Sequence, residues 1–365
     1  MASIGYQAVS FDSVPGWLSD DVGLAGLPFA ECAQALAADL DADPDNARLQ
    51  ALAQASADAA RFASQLPTTA QWRQFFEDRF EPHRVVQEHS DGLLTGYYEP
   101  ILNGSRRQSD RFRYPLYRRP NDLVDLTGDV LRGAGDEKLT HGQRQADGSV
   151  AAYMDRAAIE QGGLAGQRLE LVFLEDPVDA FFLHVQGSGE IVLDDGAQIR
   201  VGYDGKNGHP YRSVGRYLIE AGFKTRDEVT LDSLAAWLRH DPDRGRDAMW
   251  LNKSFIFFKE LGPAATTRGC GVKDIPLTVN RSLAVDASLH QIGLPVFVAA
   301  PTLTHADERG GGFYRLMVAQ DVGSAITGPE RGDIFFGGGA AAGELAGITK
   351  HRGNFFVLLP RDRPS

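Results

Sequence analysis

The stretch at 320–339, QDVGSAITGPERGDIFFGGG, sets two aspartates, Asp321 and Asp333, twelve residues apart among glycines and aromatic residues. Three readings are open to it: a plain turn between strands, an aspartic-protease loop, or part of a carboxylate site for glycosidic cleavage. The protease reading fails, because that mechanism needs two equivalent loops sharing one proton. Val322 stands where Ser or Thr belongs, and no second copy occurs. Glycosidic cleavage needs a protonated carboxyl at the leaving oxygen and usually a second carboxylate. Glu99 in GYYEP, Asp286 in RSLAVD, Asp321 and Asp333 are the candidates, and each also reads as an ordinary turn or cap residue.

Outward from this stretch the texture is β. IPLTVN, LAVD, LPVFVAA, FYRLMVAQD, GDIFFG and NFFVLLP read as short strands, as do LLTGYYEPIL, LELVFLED, FFLHVQGSGEIVL and QIRVGYDG upstream. HPYRSVGRYLIEAG predicts a helix with Pro210 in its first turn and Gly222 as its stop, and LDSLAAWLRHD predicts another. Residues 29–66 are Ala-rich and predict two amphipathic helices broken at DADPDN, with a third through QWRQFFEDRF. Residues 1–28 read as loop. Helices first and many short strands after predict an α+β fold, mostly β, with barrel-like parts. The segments 103–113 and 260–274 are candidate boundaries.

The bulk numbers narrow the function. A chain of 365 residues suggests two or three domains. Its 37 basic and 49 acidic side chains leave a net charge of −12, which argues against nucleic acid as a partner. Two cysteines, Cys32 and Cys270, allow one disulfide but neither a disulfide scaffold nor a Cys-based zinc site. Nine histidines show no metal-ligand spacing, so no metal is expected. No P-loop occurs, GGGAAAG misses the dinucleotide pattern, and Ser188 in QGSGE is not a nucleophile elbow. The start, MASIGYQAVSFDS, lacks the regions of an export signal.

GYYEP, FFLHVQGSGEI, GHPYRSVGRYLIEAG, NKSFIFF, IPLTVNRSLAVD, GLPVFV and the 320–339 stretch occur in one order. This ordered set, over roughly residues 90–360, resembles the membrane-bound lytic murein transglycosylase A family. The resemblance implies a double-psi β-barrel domain from residues 1–104 and 256–365, with N-terminal helices. It implies an inserted β-rich substrate-binding domain at 105–255, with a groove between the two. The family's three aspartates map onto Asp286, Asp321 and Asp333. Its acid/base pattern, [HRN]-x-D-[IVL]-[YF], matches Arg331-Gly332-Asp333-Ile334-Phe335 and selects Asp333.

The implied reaction cuts the β-1,4 bond between N-acetylmuramic acid and N-acetylglucosamine in peptidoglycan and leaves a 1,6-anhydro ring. One carboxyl suffices, because the muramyl C6 hydroxyl is its own nucleophile. Asp321 and Asp286 are then supporting groups, and no cofactor is implied. Tyr98, Glu99, Gln186 and Ser188 are expected sugar contacts, as are Asn252, Lys253, Ser254 and Gln320. Flanking Ile334, Phe335 and Phe336 are expected to raise the pKa of Asp333 by desolvation. The partner is the glycan strand, with cell-wall synthesis or division proteins as further expected partners, and the protein is expected to be a periplasmic monomer near the outer membrane. The lipid-bearing Cys of many relatives is missing, and Ser324 replaces the second Gly of the family's Asp loop. Rival readings are a two-carboxylate hydrolase and a non-catalytic, expansin-like wall-binding module.

Overall fold

The computed structural model describes residues 5–86, 92–126, 131–133, 136–262, 268–307, 310–323 and 325–361; Ser324 lies outside them. In chain order the first elements are β1 (Gly5–Ala8), α1 (Gly26–Glu31), α2 (Ala33–Ala42), α3 (Ala47–Ala63), α4 (Thr69–Arg79), β2 (Phe80–Val86) and β3 (Gly92–Glu99). Then come β4 (Ile101–Ser105), β5 (Tyr114–Tyr117), β6 (Leu123–Asp125), β7 (His141–Arg144), β8 (Val150–Ala151), the single turn α5 (Arg156–Ala158) and β9 (Glu170–Leu174). They continue with α6 (Pro177–Gln186), β10 (Ser188–Leu193), β11 (Gln198–Lys206), α7 (Val214–Glu220), α8 (Leu231–His240), α9 (Pro242–Trp250) and β12 (Ile256–Glu260). The last are β13 (Ser282–Val285), β14 (Pro295–Ala300), β15 (Phe313–Val322), β16 (Arg331–Gly338), α10 (Ala340–Ile348) and β17 (Lys350–Pro360).

Local chemistry starts the helices. Asn46 caps α3 by accepting from the Leu49 N–H, and Thr68 with Gln71 forms a capping box on α4. These helices bury Phe29, Leu36, Leu52, Trp72 and Phe76. Four readings of the sequence are corrected and one helix is added. FFLHVQ is helix, not strand: Asp176 caps α6, Pro177 sits in its first turn, and Gly187 ends it in the left-handed region at φ 87°. The helix after His209 starts at Val214, four residues beyond Pro210, with Ser213 as cap. IPLTVN makes only an isolated bridge, Cys270 to Pro276. AAAGELAGI is the helix α10, and the N-terminal segment holds strand β1, paired with β2.

Clustering of contacts gives two compact units. The first holds residues 1–98, 268–337 and 348–365; the second holds 99–267 and 338–347. In the first, an eight-stranded sheet runs β1-β2-β17-β14-β15-β13-β16-β3, and β17 pairs again with β3. That last pairing closes six strands into the expected β-barrel. β13 and β15 are parallel, while β13–β16, β14–β15, β14–β17 and β17–β3 are antiparallel. Leu283, Phe297, Val318, Ile334 and Phe355 are completely buried in this unit.

The second unit carries a six-stranded sheet, β12-β11-β10-β4-β9-β5, and a three-stranded one, β6-β7-β8. Its sheet core packs Val172, Leu183, Ile191, Val201 and Phe258. A further cluster binds α6 to α7, α8 and α9 through Phe181, Phe182, Val214, Leu238 and Met249.

Candidate active site

Register places the two aspartates of the quoted stretch. Ala284 on β13 pairs with Asp321 on one side and with Asp333 on the other. Directly paired residues share a face of a sheet, so the three side chains stand on one face, with the Ala284 methyl between two carboxyls. Adjacent strands lie about 4.8 Å apart, so the two aspartates are two strand spacings apart, or roughly 10 Å between backbones. That is near enough for the carboxyls to lean together over the alanine.

The surroundings of this face are apolar. Tyr97, Leu277, Ala284, Ile326 and Phe335 form one buried cluster, and the Tyr97 and Phe335 rings have centroids 5.2 Å apart. Strand alternation puts Phe335 on the face of Asp333 and sends Ile334 and Phe336 to the other. Of the three flanking apolar residues, Phe335 is therefore the one placed to desolvate Asp333. Both aspartates stay partly open to solvent while protein surrounds their carboxyl groups closely.

Burial raises the pKa of Asp333, against a lowering from the Thr95 hydroxyl bond and the Arg331 charge. Burial also pushes Asp321 up to about 6, and the Asp333 charge acts in the same direction. The bond from the Val322 N–H and the nearby Tyr97 hydroxyl oppose this rise. The Tyr97 hydroxyl lies beside Asp321 without a well-formed hydrogen bond, and burial with the nearby carboxylates holds its pKa well above the ordinary value.

Asp321 thus costs stability where it is ionised. A carboxyl whose folded pKa is raised binds more protons folded than unfolded, so its contribution is favourable at low pH and is lost as pH rises through about 6. Asp321→Asn is expected to raise the melting temperature at pH 7, by the equivalent of roughly 1–3 kcal/mol, and to give no gain below about pH 4. Melting curves of both proteins from pH 3 to 8 check this; a pH-independent difference would contradict it.

Asp286 differs. Burial raises its pKa, but bonds from the Ser288 hydroxyl and the Gly328 and Ser288 N–H groups, with the His290 charge, outweigh that and lower it. Its Oδ2 accepts from the Gly328 N–H at 2.8 Å, and Gly328 has φ 119°, a conformation that favours glycine. His290 Nε2 bonds the Pro329 carbonyl at 2.7 Å. Asp286 and His290 therefore brace the loop that joins Asp321 to Asp333, and Asp286 is scaffold.

The other expected residues have surroundings of their own. Gln320 is completely buried: its amide nitrogen bonds the Pro28 carbonyl at 2.8 Å and its oxygen accepts from Ser282. Those bonds make it a core residue rather than a sugar contact. Glu99 is buried in the second unit and paired with Arg200, which also bonds Glu190 at 2.6 Å. Gln186 ends α6, Ser188 opens β10, and Tyr98 is half-buried on β3. Asn252 Oδ1 accepts from the Arg212 and Ser254 N–H groups. The buried Arg156 side chain fastens the carbonyls of Asn252 at 3.1 Å and Ser254 at 2.7 Å. Asn207 and the Arg156 N–H hold the carbonyl of Lys253. Cys32 and Cys270 are both free and buried, and burial pushes the Cys32 thiol up to about 12. Among the described residues, no group of three or more His, Cys, Asp or Glu side chains is placed to hold a metal ion.

Three residues of the aspartate face escaped the sequence reading as site residues: Tyr97, Thr95 and Arg331. Arg331 opens the RGDIF pattern and Thr95 stands just before GYYEP, so proximity to those motifs was the available signal.

Comparison with known proteins gives consistent matches. The family model described as MltA specific insert domain matches residues 93–259, and the one described as 3D domain matches 281–359. Membrane-bound lytic murein transglycosylase A of Escherichia coli K12 is 31% identical over 293 residues, covering 80% of this chain and 71% of that protein. A crystal structure of a membrane-bound lytic murein transglycosylase from Agrobacterium tumefaciens is 38% identical, with a TM-score of 0.83 over 98% of each chain. A structure of E. coli MltA with bound chitohexaose is 26% identical, with a TM-score of 0.68 over 98% of this chain and 95% of that one. With its barrel, its inserted unit and its aspartate pair in place, the chain belongs to the membrane-bound lytic murein transglycosylase A family.

Proposed function

We propose that this chain is a peptidoglycan lytic transglycosylase in which Asp333 serves first as general acid and then as general base. The observation that carries the assignment is the Asp333 carboxyl: close-packed, raised in pKa, partly open to solvent and linked to Arg331 through the Thr95 hydroxyl. A carboxyl kept protonated near neutral pH is what the first step requires. Asp333 gives its proton to the leaving glycosidic oxygen as the bond to the muramyl C1 breaks. The C6 hydroxyl of the same sugar attacks C1, and its proton passes to the Asp333 carboxylate. The 1,6-anhydro ring forms, no water is consumed, and the acid is restored. An intramolecular nucleophile replaces the positioned water and its base.

The named relatives support murein as the substrate, and the relative that binds chitohexaose supports a saccharide ligand. Asp321, at about 6, is shared between proton states near neutrality and supports Asp333 rather than acting as a nucleophile. We place the enzyme where its substrate is, in the periplasm, acting as a monomer on glycan strands near the outer membrane. No helix among the described residues is long and apolar enough to cross a membrane. Digestion of purified sacculi tests the reading. Soluble muropeptides one water lighter than hydrolysed ones are expected. Products of full hydrolysed mass would instead establish a two-carboxylate hydrolase, and sacculus binding without release a wall-binding module.

A further inference from the structure

One link at Asp333 lies outside the acid/base cycle. Its Oδ1 accepts from the Thr95 hydroxyl, and the oxygen of that hydroxyl accepts from Arg331 Nη2 at 2.8 Å. A hydroxyl has one proton to donate. With a guanidinium on its oxygen, Thr95 must turn that proton toward Asp333. The Asp333 oxygen that already accepts is then a poor place for the acid's own proton, which falls to the other oxygen. Arg331 is fastened away from the carboxyl as well: its Nη1 bonds the Gly332 carbonyl at 2.6 Å and the Leu93 carbonyl at 3.4 Å.

We infer that Thr95 is a positioning residue for the reaction: it holds the Arg331 guanidinium one hydroxyl away from Asp333 and directs the acid proton to the free carboxyl oxygen. The inference rests on the reading of Asp333 as the acid and base. The charged and titratable groups around that carboxyl are Arg331 on β16, Asp321 on β15, Tyr97 on β3, and Lys350 on β17, which pairs with Thr95 across the strands. β13 contributes only Ala284. Arg331 is thus the cation already linked to Asp333, and Thr95 is what separates them. Without the hydroxyl, Arg331 Nη2 loses its acceptor and can turn to bond the carboxylate directly, while Nη1 keeps its carbonyls. Direct contact strengthens the lowering that Arg331 already exerts across the hydroxyl, and a close opposite charge lowers a carboxyl pKa by about one to three pH units, which draws the general acid toward its carboxylate form.

The test is the pH profile of kcat/KM on purified sacculi for Thr95→Val, Thr95→Ser, Arg331→Met and the double variant Thr95→Val/Arg331→Met. For Thr95→Val, which keeps the shape, loss of the hydroxyl bond alone would raise the limb, but the direct guanidinium contact outweighs it; the basic limb is expected to move to lower pH by about one unit or more, with activity on that limb about tenfold lower for each unit. Thr95→Ser should keep the parent limb. Arg331→Met should move the limb to higher pH, and the double variant should lose the acid shift of Thr95→Val. A Thr95→Val enzyme that is slower at every pH with an unmoved limb would overturn the inference, leaving Thr95 as packing alone. If Thr95→Val shows no cooperative melt, Arg331→Met decides, and an unmoved limb there overturns it equally. Failure of the parent reading is separate, because it shows as an absence of anhydro products from the unmodified protein.

Discussion

Asp333→Asn is expected to lose turnover of sacculi by at least about 10²–10⁴-fold, the range that general acid–base catalysis supplies. The replacement changes little else. The amide oxygen of Asn can still accept from Thr95, so the β3–β16 link persists. The side chain keeps its volume between Ala284 and Phe335. What is lost is a group that both gives and takes a proton, which an amide cannot do at neutral pH. Removing a carboxyl whose ionisation is disfavoured by burial should leave the melting temperature equal or higher. Release of anhydromuropeptides and a melting curve, measured on the same preparation, separate chemistry from folding. Near-parental release would remove Asp333 from the centre of the reaction, and a large loss of stability would make its role structural.

The second large effect concerns stability. Arg281 and Asp20 form a buried, two-pronged ion pair with both N–O distances at 2.8 Å. Asp20 also accepts from the Leu316 N–H at 2.8 Å, and Arg281 donates to the Leu316 carbonyl at 2.9 Å. Side chains 261 residues apart thereby pin the N-terminal segment to β15. Arg281→Met leaves the Asp20 carboxylate buried without its countercharge, and breaking one side of such a pair costs ~3–5 kcal/mol. The denaturant midpoint should fall accordingly with little change in slope. Replacing both partners, Asp20→Leu with Arg281→Met, should recover most of the loss, because two apolar groups leave no stranded charge. A single-variant loss below about 1 kcal/mol would mean that water reaches the pair.

Much of this architecture was legible along the chain, for identifiable reasons. Strands β13 to β17 are short apolar runs between Gly, Pro and Asp, and their period and punctuation agree. The capped helices at 47–63 and 69–79 carry their start signals in sequence. The helix α6 was misread because FFLHV is a continuous apolar run, which fits a buried strand or a buried helix equally. Asp176-Pro177 before it and Gly187 after it were the arbiters, as cap, first turn and stop. AAAGELAGI was hidden by the glycines around it. At the site, Asp333 was visible through its local pattern, but Thr95 lies 238 residues away and reaches it only through strand pairing. Gln320 shows the reverse: it is expected as a sugar contact, yet strand alternation turns it into the core.

The closed ring of strands also sets the order in which the molecule can come into being. β3 leaves the ribosome early, yet its barrel neighbours β16 and β17 are made more than 200 residues later. Most of the second unit, residues 99–267, is complete in the meantime and has its own sheets to form. Contacts of such long sequence separation close slowly. The acid and its hydroxyl partner therefore cannot meet until β16 has been synthesised. A ribosome that stops before Lys350 has made both aspartates and Thr95, yet the ring of strands that holds them still lacks β17.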